Sequence, residues 1–258
     1  MHDSAKLGTA ELLFKRAQLL NLQPAWVIPD GLFAVTIDGR EVYVNFARSP
    51  LNADNSASLA KDKYLTRLVL QRHGMPNIPF DRPTSLAAAE DFLAQHQKIV
   101  AKPVKGAGAH DIHIVTQAQQ LRDLSVEEYI LEKYVAGQEM RYLVLNGQVI
   151  GVHHSEYGTS VAADRPLQRH SYPKAEWDEA LVESSLQISQ ILDLHFAAID
   201  YLVDSSGRAH VLEVNTMPGL KWFHAPTSGP IVDVAGLFMD AVVEHYKIVS
   251  EEFIDVQR

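Results

Sequence analysis

One stretch constrains this chain more than any other: the apolar run Phe196-Ala197-Ala198-Ile199-Asp200-Tyr201-Leu202-Val203, the turn Asp204-Ser205-Ser206-Gly207, and the run Ala209-His210-Val211-Leu212-Glu213-Val214-Asn215. Two apolar runs about such a turn predict a β-hairpin. A two-residue loop at Ser206-Gly207, or a four-residue loop over 205–208, sets Asp200 directly opposite Glu213. Residues so opposed have Cβ atoms ~4.5–5.5 Å apart, and like charges there repel. Asn215 projects from the same face as Glu213, whereas Ile199, Tyr201, Val203, Leu212 and Val214 read as core on the other face. An acid–acid–amide cluster on a packed hairpin calls for a cation, and hard oxygen donors suit Mg²⁺. The alternative is a solvated edge; the apolar flanks and the break at Pro218-Gly219 weigh against it. A three-residue loop would instead turn the two acids to opposite faces.

The remaining chain has to supply a body for that hairpin. Its 258 residues are 47% apolar and 21% charged, with 23 Lys plus Arg against 32 Asp plus Glu, a formal charge of −9. That composition is globular, with room for one large or two modest domains. No window approaches the ~18 uninterrupted apolar residues of a membrane helix, so no membrane association is expected. Met1-His2-Asp3-Ser4 lacks the basic, then apolar, start of a secretory signal. The absence of cysteine excludes disulfides, thiol nucleophiles and thiolate metal sites, and fits the cytosol. The acidic balance argues against a nucleic-acid surface, which needs a basic stripe, yet leaves room for a locally basic polyphosphate pocket.

Leu7, Ala10, Leu13, Phe14 and Ala17 recur at helical spacing, predicting a helix over 7–20; others are expected over about 59–73, 86–96, 177–194 and 232–246. Strand patterns cover 24–28, the runs flanking Asp38-Gly39, 98–103, 112–115, 128–135 and 139–153, with a turn at Asn146-Gly147. Residues 49–58 read as a linker. Hairpins outnumber crossovers, which predicts an α+β (mixed α/β) fold rather than a doubly wound parallel sheet.

Lys102 lies in the apolar strand Ile99-Val100-Ala101-Lys102-Pro103, where a lysine is costly unless it meets an anion or reaches water. Lys105-Gly106-Ala107-Gly108 follows. Because a strand and not a helix comes next, this is neither a Walker loop nor a dinucleotide-binding turn. It reads as a glycine-tipped hairpin: a flap over a triphosphate, or a plain turn. In Tyr129-Ile130-Leu131-Glu132-Lys133-Tyr134-Val135, a strand runs into a short connection whose backbone could read an adenine edge, and Glu139 beyond it could take up a ribose diol; each charge there is also compatible with a plain surface.

Taken together, these segments resemble the ATP-grasp superfamily of ATP-dependent carboxylate–amine/thiol ligases from about Ser58 to Tyr246. Glu213-Val-Asn-Thr-Met-Pro-Gly-Leu220 with His224-Ala-Pro-Thr-Ser-Gly229, and Lys61-Asp62-Lys63 with Gly74-Met-Pro-Asn-Ile-Pro79, are similar to the ATP-grasp part of bifunctional glutathione synthetases and of cyanophycin synthetase. The resemblance implies two α+β subdomains clamping a nucleotide, a lid over 58–136 and a larger metal-bearing subdomain over 137–258, preceded by a short N-terminal segment over 1–57. It implies phosphate contacts from Lys63, Lys102 and Lys105, a flap tipped by Gly106 and Gly108, adenine contacts from Glu132 and the backbones of Lys133 and Val135, and ribose held by Glu139. Asp200, Glu213 and Asn215 would carry two Mg²⁺ ions, with Mn²⁺ as a substitute.

The implied activity is cytoplasmic amide-bond formation from a carboxylate and an amine (an amino acid or peptide) through an acylphosphate, releasing ADP and phosphate. Alternatives are a kinase that stops at the phosphorylated product, or a non-catalytic nucleotide-binding module. A homodimer is compatible with this reading. Lys102 and Arg141 would act in catalysis, while Arg165, Arg169, Gly219, Lys221 and His224 are candidates on the substrate side. The chain departs from the pattern at Ala198, where many relatives carry an arginine two residues before the metal aspartate, and at His153-His154, where glutamate-ligating relatives carry arginines. The two histidines are neighbours on a strand and so point to opposite faces; packed or exposed roles are expected of them rather than a metal pair. For His224, which follows Pro218-Gly219, a structural cap competes with an acceptor-side contact.

Overall fold

The computed structural model describes residues 7–48, 50–105, 111–156 and 168–255. Gly106, Gly108 and Arg165 lie outside them.

Leu12, Leu13 and Ala17 fall on one face of α1 (Thr9–Leu19) and are buried. They pack on an antiparallel sheet of β1 (Ala25–Ile28), β2 (Leu32–Ile37) and β3 (Arg40–Asn45), where Phe14 stacks on Trp26 at 4.3 Å. The Asp38-Gly39 turn between β2 and β3 has φ of 46° and 76°, the doubly left-handed geometry that an Asp-Gly hairpin favours. Asn146-Gly147 repeats it at 46° and 72° between β8 (Gly137–Leu145) and β9 (Gln148–Glu156).

The expected linker and long second helix are instead two helices, α2 (Asp54–Lys61) and α3 (Lys63–Arg72). Asp62 separates them: it leaves helical geometry at ψ 106°, and its carboxylate accepts the Leu65 N–H at 3.0 Å, capping α3. Ala60 and Leu70 of this pair, which a division at residue 58 would group with the lid, are buried in the core of the larger sheet.

That sheet is antiparallel throughout, in the order β10 (Gln168–Ser171), β9, β8, β11 (Phe196–Asp204), β12 (Ala209–Asn215). Strand alternation gives it two unlike faces. One carries Tyr142, Val144, Ile199, Tyr201 and Val211, which pack with α2, α3 and Leu181 and Ile188 of α6 (Glu179–Ile191). Asp178 caps α6 by accepting the Ala180 and Leu181 N–H groups, a device worth about 1 kcal/mol. On the other face Leu143, Leu145, Phe196 and Ala198 join a second core with α1, the N-terminal sheet, α7 (Lys221–His224) and α8 (Val234–Asp255). The N-terminal segment is thus packed into the body.

A smaller antiparallel sheet runs β4 (Phe80–Asp81), β7 (Tyr129–Lys133), β5 (Ile99–Pro103), β6 (His113–Val115). Ile99, Ala101, Tyr129 and Leu131 face α4 (Leu86–His96) and α5 (Ala118–Arg122) in a third core. Val100, Lys102 and Glu132 alternate onto the opposite face, toward α3 and β12. The chain is α+β, as the excess of hairpins predicts.

Candidate active site

On the larger sheet, Arg141 (β8) lies opposite Asp200 (β11), and Asp200 opposite Glu213 (β12). The facing pair arises by a route other than the expected loop. Val203 pairs with Ala209, so the connection is the odd-numbered stretch Asp204–Arg208. That parity alone would send the acids to opposite faces. A β-bulge leaves Leu212 out of the ladder, since Asp200 pairs with Glu213 but Tyr201 with Val211, and the bulge restores the facing register. Asp204 organises the turn by accepting from the Ser206 N–H at 2.9 Å and the Arg208 N–H at 3.1 Å.

The two acids sit in different fields. Asp200 is 2% exposed and held by Arg141 through both oxygens, Nε–Oδ1 at 2.7 Å and Nη2–Oδ2 at 2.6 Å. Burial works against the guanidinium charge, but Asp200 overrides it and holds the Arg141 pKa above its ordinary value. The Glu213 carboxyl is pushed up, first by burial and then by the Asp200 charge, against the opposing pull of Lys63, Lys102 and Arg141. Asn215 stands beside them opposite Ala198, its Oδ1 accepting the Met217 N–H at 2.9 Å. Ala198 itself is fully buried in the core, and the arginine nearest Asp200 comes from the neighbouring strand.

On the smaller sheet Lys102 Nζ meets Glu132 Oε2 at 2.7 Å, while Arg67 Nε of α3 meets Glu132 Oε1 at 2.8 Å. All three are buried. Burial would raise the Glu132 pKa, yet Arg67 and Lys102 outweigh it and bring the value down to about 2. Both carboxylate oxygens are therefore turned inward onto cations. Of the adjoining backbone, the Lys133 N–H is taken by the Pro79 carbonyl at 2.9 Å; Lys133 is exposed and Val135 half-buried. Lys63 begins α3, with its N–H on the Val104 carbonyl at 3.1 Å, and the backbone of exposed Lys105 pairs with that of Asp62 in an isolated antiparallel β-bridge. Lys63, Arg67, Glu132 and Glu213 line one narrow crevice where the two sheets meet, and Glu139 lies on the same face as Arg141 near the start of β8. At Gly137 a Cβ would come within 2.6 Å of the Val203 carbonyl oxygen, so β8 can enter the sheet there only without a side chain.

The substrate-side candidates separate. Arg169 and Lys221 converge on Trp222, at 5.2 and 5.1 Å from its ring, and Gly219 is exposed just ahead of α7. His224 Nε2 accepts the Ala235 N–H at 3.0 Å at the start of α8, and burial lowers its pKa. His153 and His154 do point apart. His154 stacks on His170 at 4.7 Å and bonds the Tyr172 hydroxyl at 2.7 Å. His153, opposite Arg141, is fully buried 4.7 Å from the Phe223 ring. Burial, then Arg141 and Arg169, lower its pKa to about 2, so the ring is neutral. Sequence reasoning missed Arg67; its only signal was a place on the α3 face shared by Thr66 and Leu70.

The smaller sheet thus brings Glu132, with Lys102 bound to it, and the larger brings Glu213, with Asp200 facing it, to where the two sheets meet, the arrangement of the ATP-grasp class of folds. The chain belongs to the RimK-like ATP-grasp family, whose model matches residues 60–242. It is 26% identical over 185 residues to a D-alanine–D-alanine ligase of Aquifex aeolicus, covering 64% of this chain and 61% of that one. It is 24% identical over 255 residues to a probable alpha-L-glutamate ligase of Rhodopirellula baltica, covering 90% and 60%. The chain thus spans about three-fifths of the length of these curated relatives. Among solved structures, a bifunctional glutathione synthetase from Pasteurella multocida matches with a TM-score of 0.68 at 12% identity, over 93% of this chain and 45% of that one. The macrocyclase MdnC of Microcystis aeruginosa, bound with its precursor peptide MdnA, matches at 0.67 and 13%, over 92% and 96%. At such identities the structural matches speak for the fold.

Proposed function

We propose that this chain is an ATP-dependent ligase that joins a carboxylate to an amine of an amino acid or peptide, acting in the cytoplasm. The observation that carries the reading is the facing pair Asp200 and Glu213, with the Glu213 carboxyl pushed up by burial and then by the Asp200 charge, against the pull of Lys63, Lys102 and Arg141. The donor set fits Mg²⁺, or Mn²⁺ in its place: two carboxylates and the Asn215 amide on one face, with no third acidic or imidazole group joining them among the described residues. Mg²⁺ is commonly bound by one or two carboxylates plus substrate phosphates, so a nucleotide completes the shell of one or two ions. When bound, the metal would offset charge on the phosphate oxygens.

The chain's own residues do the rest. Lys102 and Lys63 hold the nucleotide phosphates from the lid side, with Lys105 next in the chain; Gly106 and Gly108, the expected flap, lie outside the described residues. Lys133, Val135 and Glu139 lie along the path for base and ribose. Arg141 orients Asp200 through two hydrogen bonds and leaves Glu213 the less compensated acid. The substrate carboxylate attacks the γ-phosphorus, the bond to ADP breaks, and an acylphosphate forms. The amine then attacks the acyl carbon, phosphate leaves, and the amine proton passes to solvent. Arg169 and Lys221, about Trp222, are placed to hold an anionic end of a substrate, with Arg165 and Gly219 nearby in sequence. The named activities of the relatives, D-alanine–D-alanine and glutamate ligation, support an amino-acid substrate class.

The test is a screen of amino acids and short peptides for ADP release, with hydroxylamine as a trap. Hydroxamate formed in step with ADP, and phosphate released only with an amine, is the expected result. A stable phosphorylated product would establish the kinase alternative and overturn ligation.

A further inference from the structure

Arg67 is 3% exposed, and its guanidinium is spread over four acceptors on three parts of the chain. Nε bonds Glu132 on β7 at 2.8 Å, Nη1 bonds the Asn77 side chain at 2.9 Å and the Val211 carbonyl at 2.5 Å, and Nη2 bonds the Leu212 carbonyl at 3.0 Å. Asn77 returns a bond from its amide to the Arg67 carbonyl at 2.9 Å, fixing the residue from behind.

The two β12 carbonyls have a particular meaning. Leu212 is the bulged residue, and a bulge takes backbone groups out of the ladder. A buried carbonyl without a donor is costly, and the guanidinium supplies the donors here. The same bulge brings Glu213 round to face Asp200. The guanidinium's other edge holds Glu132, which in turn holds Lys102. One planar group therefore touches both the support of the lid lysine and the support of the acid pair, and a lysine could not span these acceptors.

We propose that Arg67 is a positioning residue that sets the placement of Lys102 relative to Glu213, so that a nucleoside polyphosphate and its cation are gripped from both sides. This rests on the functional reading above, in which the phosphates lie between those two residues.

The test uses the whole chain and titrates ADP with Mg²⁺ by calorimetry, well below each variant's melting temperature. Arg67→Lys keeps a cation for Glu132 and so preserves the fold, but it should weaken Mg·ADP binding at least tenfold. In a Lys102→Met background the same substitution should cost less than threefold, because the group being positioned is gone. A role confined to fold stability would lower the melting temperature and leave affinity unmoved. The proposal is overturned if Arg67→Lys binds like wild type, or if the loss is equal in both backgrounds. Asn77→Ala, which loosens Arg67 without removing it, should weaken binding about threefold; unchanged affinity there also counts against the proposal. Wild-type protein that fails to bind Mg·ADP at all would defeat the functional reading and this inference with it, whereas normal wild-type binding with an unaffected Arg67→Lys variant defeats this inference alone.

Discussion

Two carboxylates on facing sheets, buried Glu132 and half-buried Glu213, have opposite fates. Glu132 lies between two cations that take up both its oxygens, and its pKa falls to about 2. Glu213 faces another acid, Asp200, which Arg141 holds through both oxygens, and its pKa rises. Both oxygens of the first are taken up within the fold; the second is left facing a like charge. Under the proposed function, that difference makes Glu132 a supporting acid and Glu213 a binding one.

The largest effect should fall on turnover. Glu213→Gln removes the less compensated acid, and ADP release under assay with an accepted amine should drop at least ~100-fold. Retained activity would move the metal site elsewhere. Next is stability at the other acid: Glu132→Gln leaves two buried cations without their counter-ion and should cost ~3–5 kcal/mol at pH 7 by denaturant titration. Because the folded-state pKa is depressed, the Glu132 contribution is present above about 4.5 and is lost as pH falls toward about 2, so the gap between wild type and variant should narrow over that window.

Glu213→Gln should show the reverse sign. A carboxyl whose pKa is raised on folding contributes stability at low pH that disappears as pH rises through the folded value, so at pH 7 the ionised group is a net cost. The variant should therefore melt at or above wild type at pH 7, with the advantage fading as pH falls toward 4.5. A fall in melting temperature like that of Glu132→Gln would erase the distinction between the two acids. The smallest effect is His224→Ala, which removes the acceptor for the Ala235 N–H and should cost about 1 kcal/mol. Burial lowers the His224 pKa, so this difference should shrink as pH falls below 6.5, and turnover should be preserved.

Much of this was legible in the sequence because it rests on local periodicity. The hairpin turns at Asp38-Gly39 and Asn146-Gly147, the α4 span and the antiparallel character all follow from side-chain alternation and turn chemistry. The opposition of Asp200 and Glu213 was legible too, but through a loop the chain does not use: an odd connection corrected by a bulge at Leu212 reaches the same register, and neither half of that compensation has a sequence signature. Asp62 could have been found as a helix cap, since an aspartate ahead of a helical run is a stop and a start at once.

Arg67 could not. It lies on the buried face of α3 while Leu65 and Leu68 are 42% and 39% exposed, an inversion of the usual pattern. Its partners come from β7 and β12, far away in the chain, as well as from nearby Asn77, so only tertiary packing reveals it. Glu132 shows the same limit, because spacing gives it a place in the motif whereas two distant cations decide where its carboxylate points.

The most direct test of the central claim is calorimetric titration of ADP into wild type and Glu213→Gln, each with Mg²⁺ and with a chelator. The account predicts that Mg²⁺ tightens ADP binding to wild type at least tenfold and changes the variant's affinity little. Equal Mg²⁺ dependence in the two proteins would contradict it.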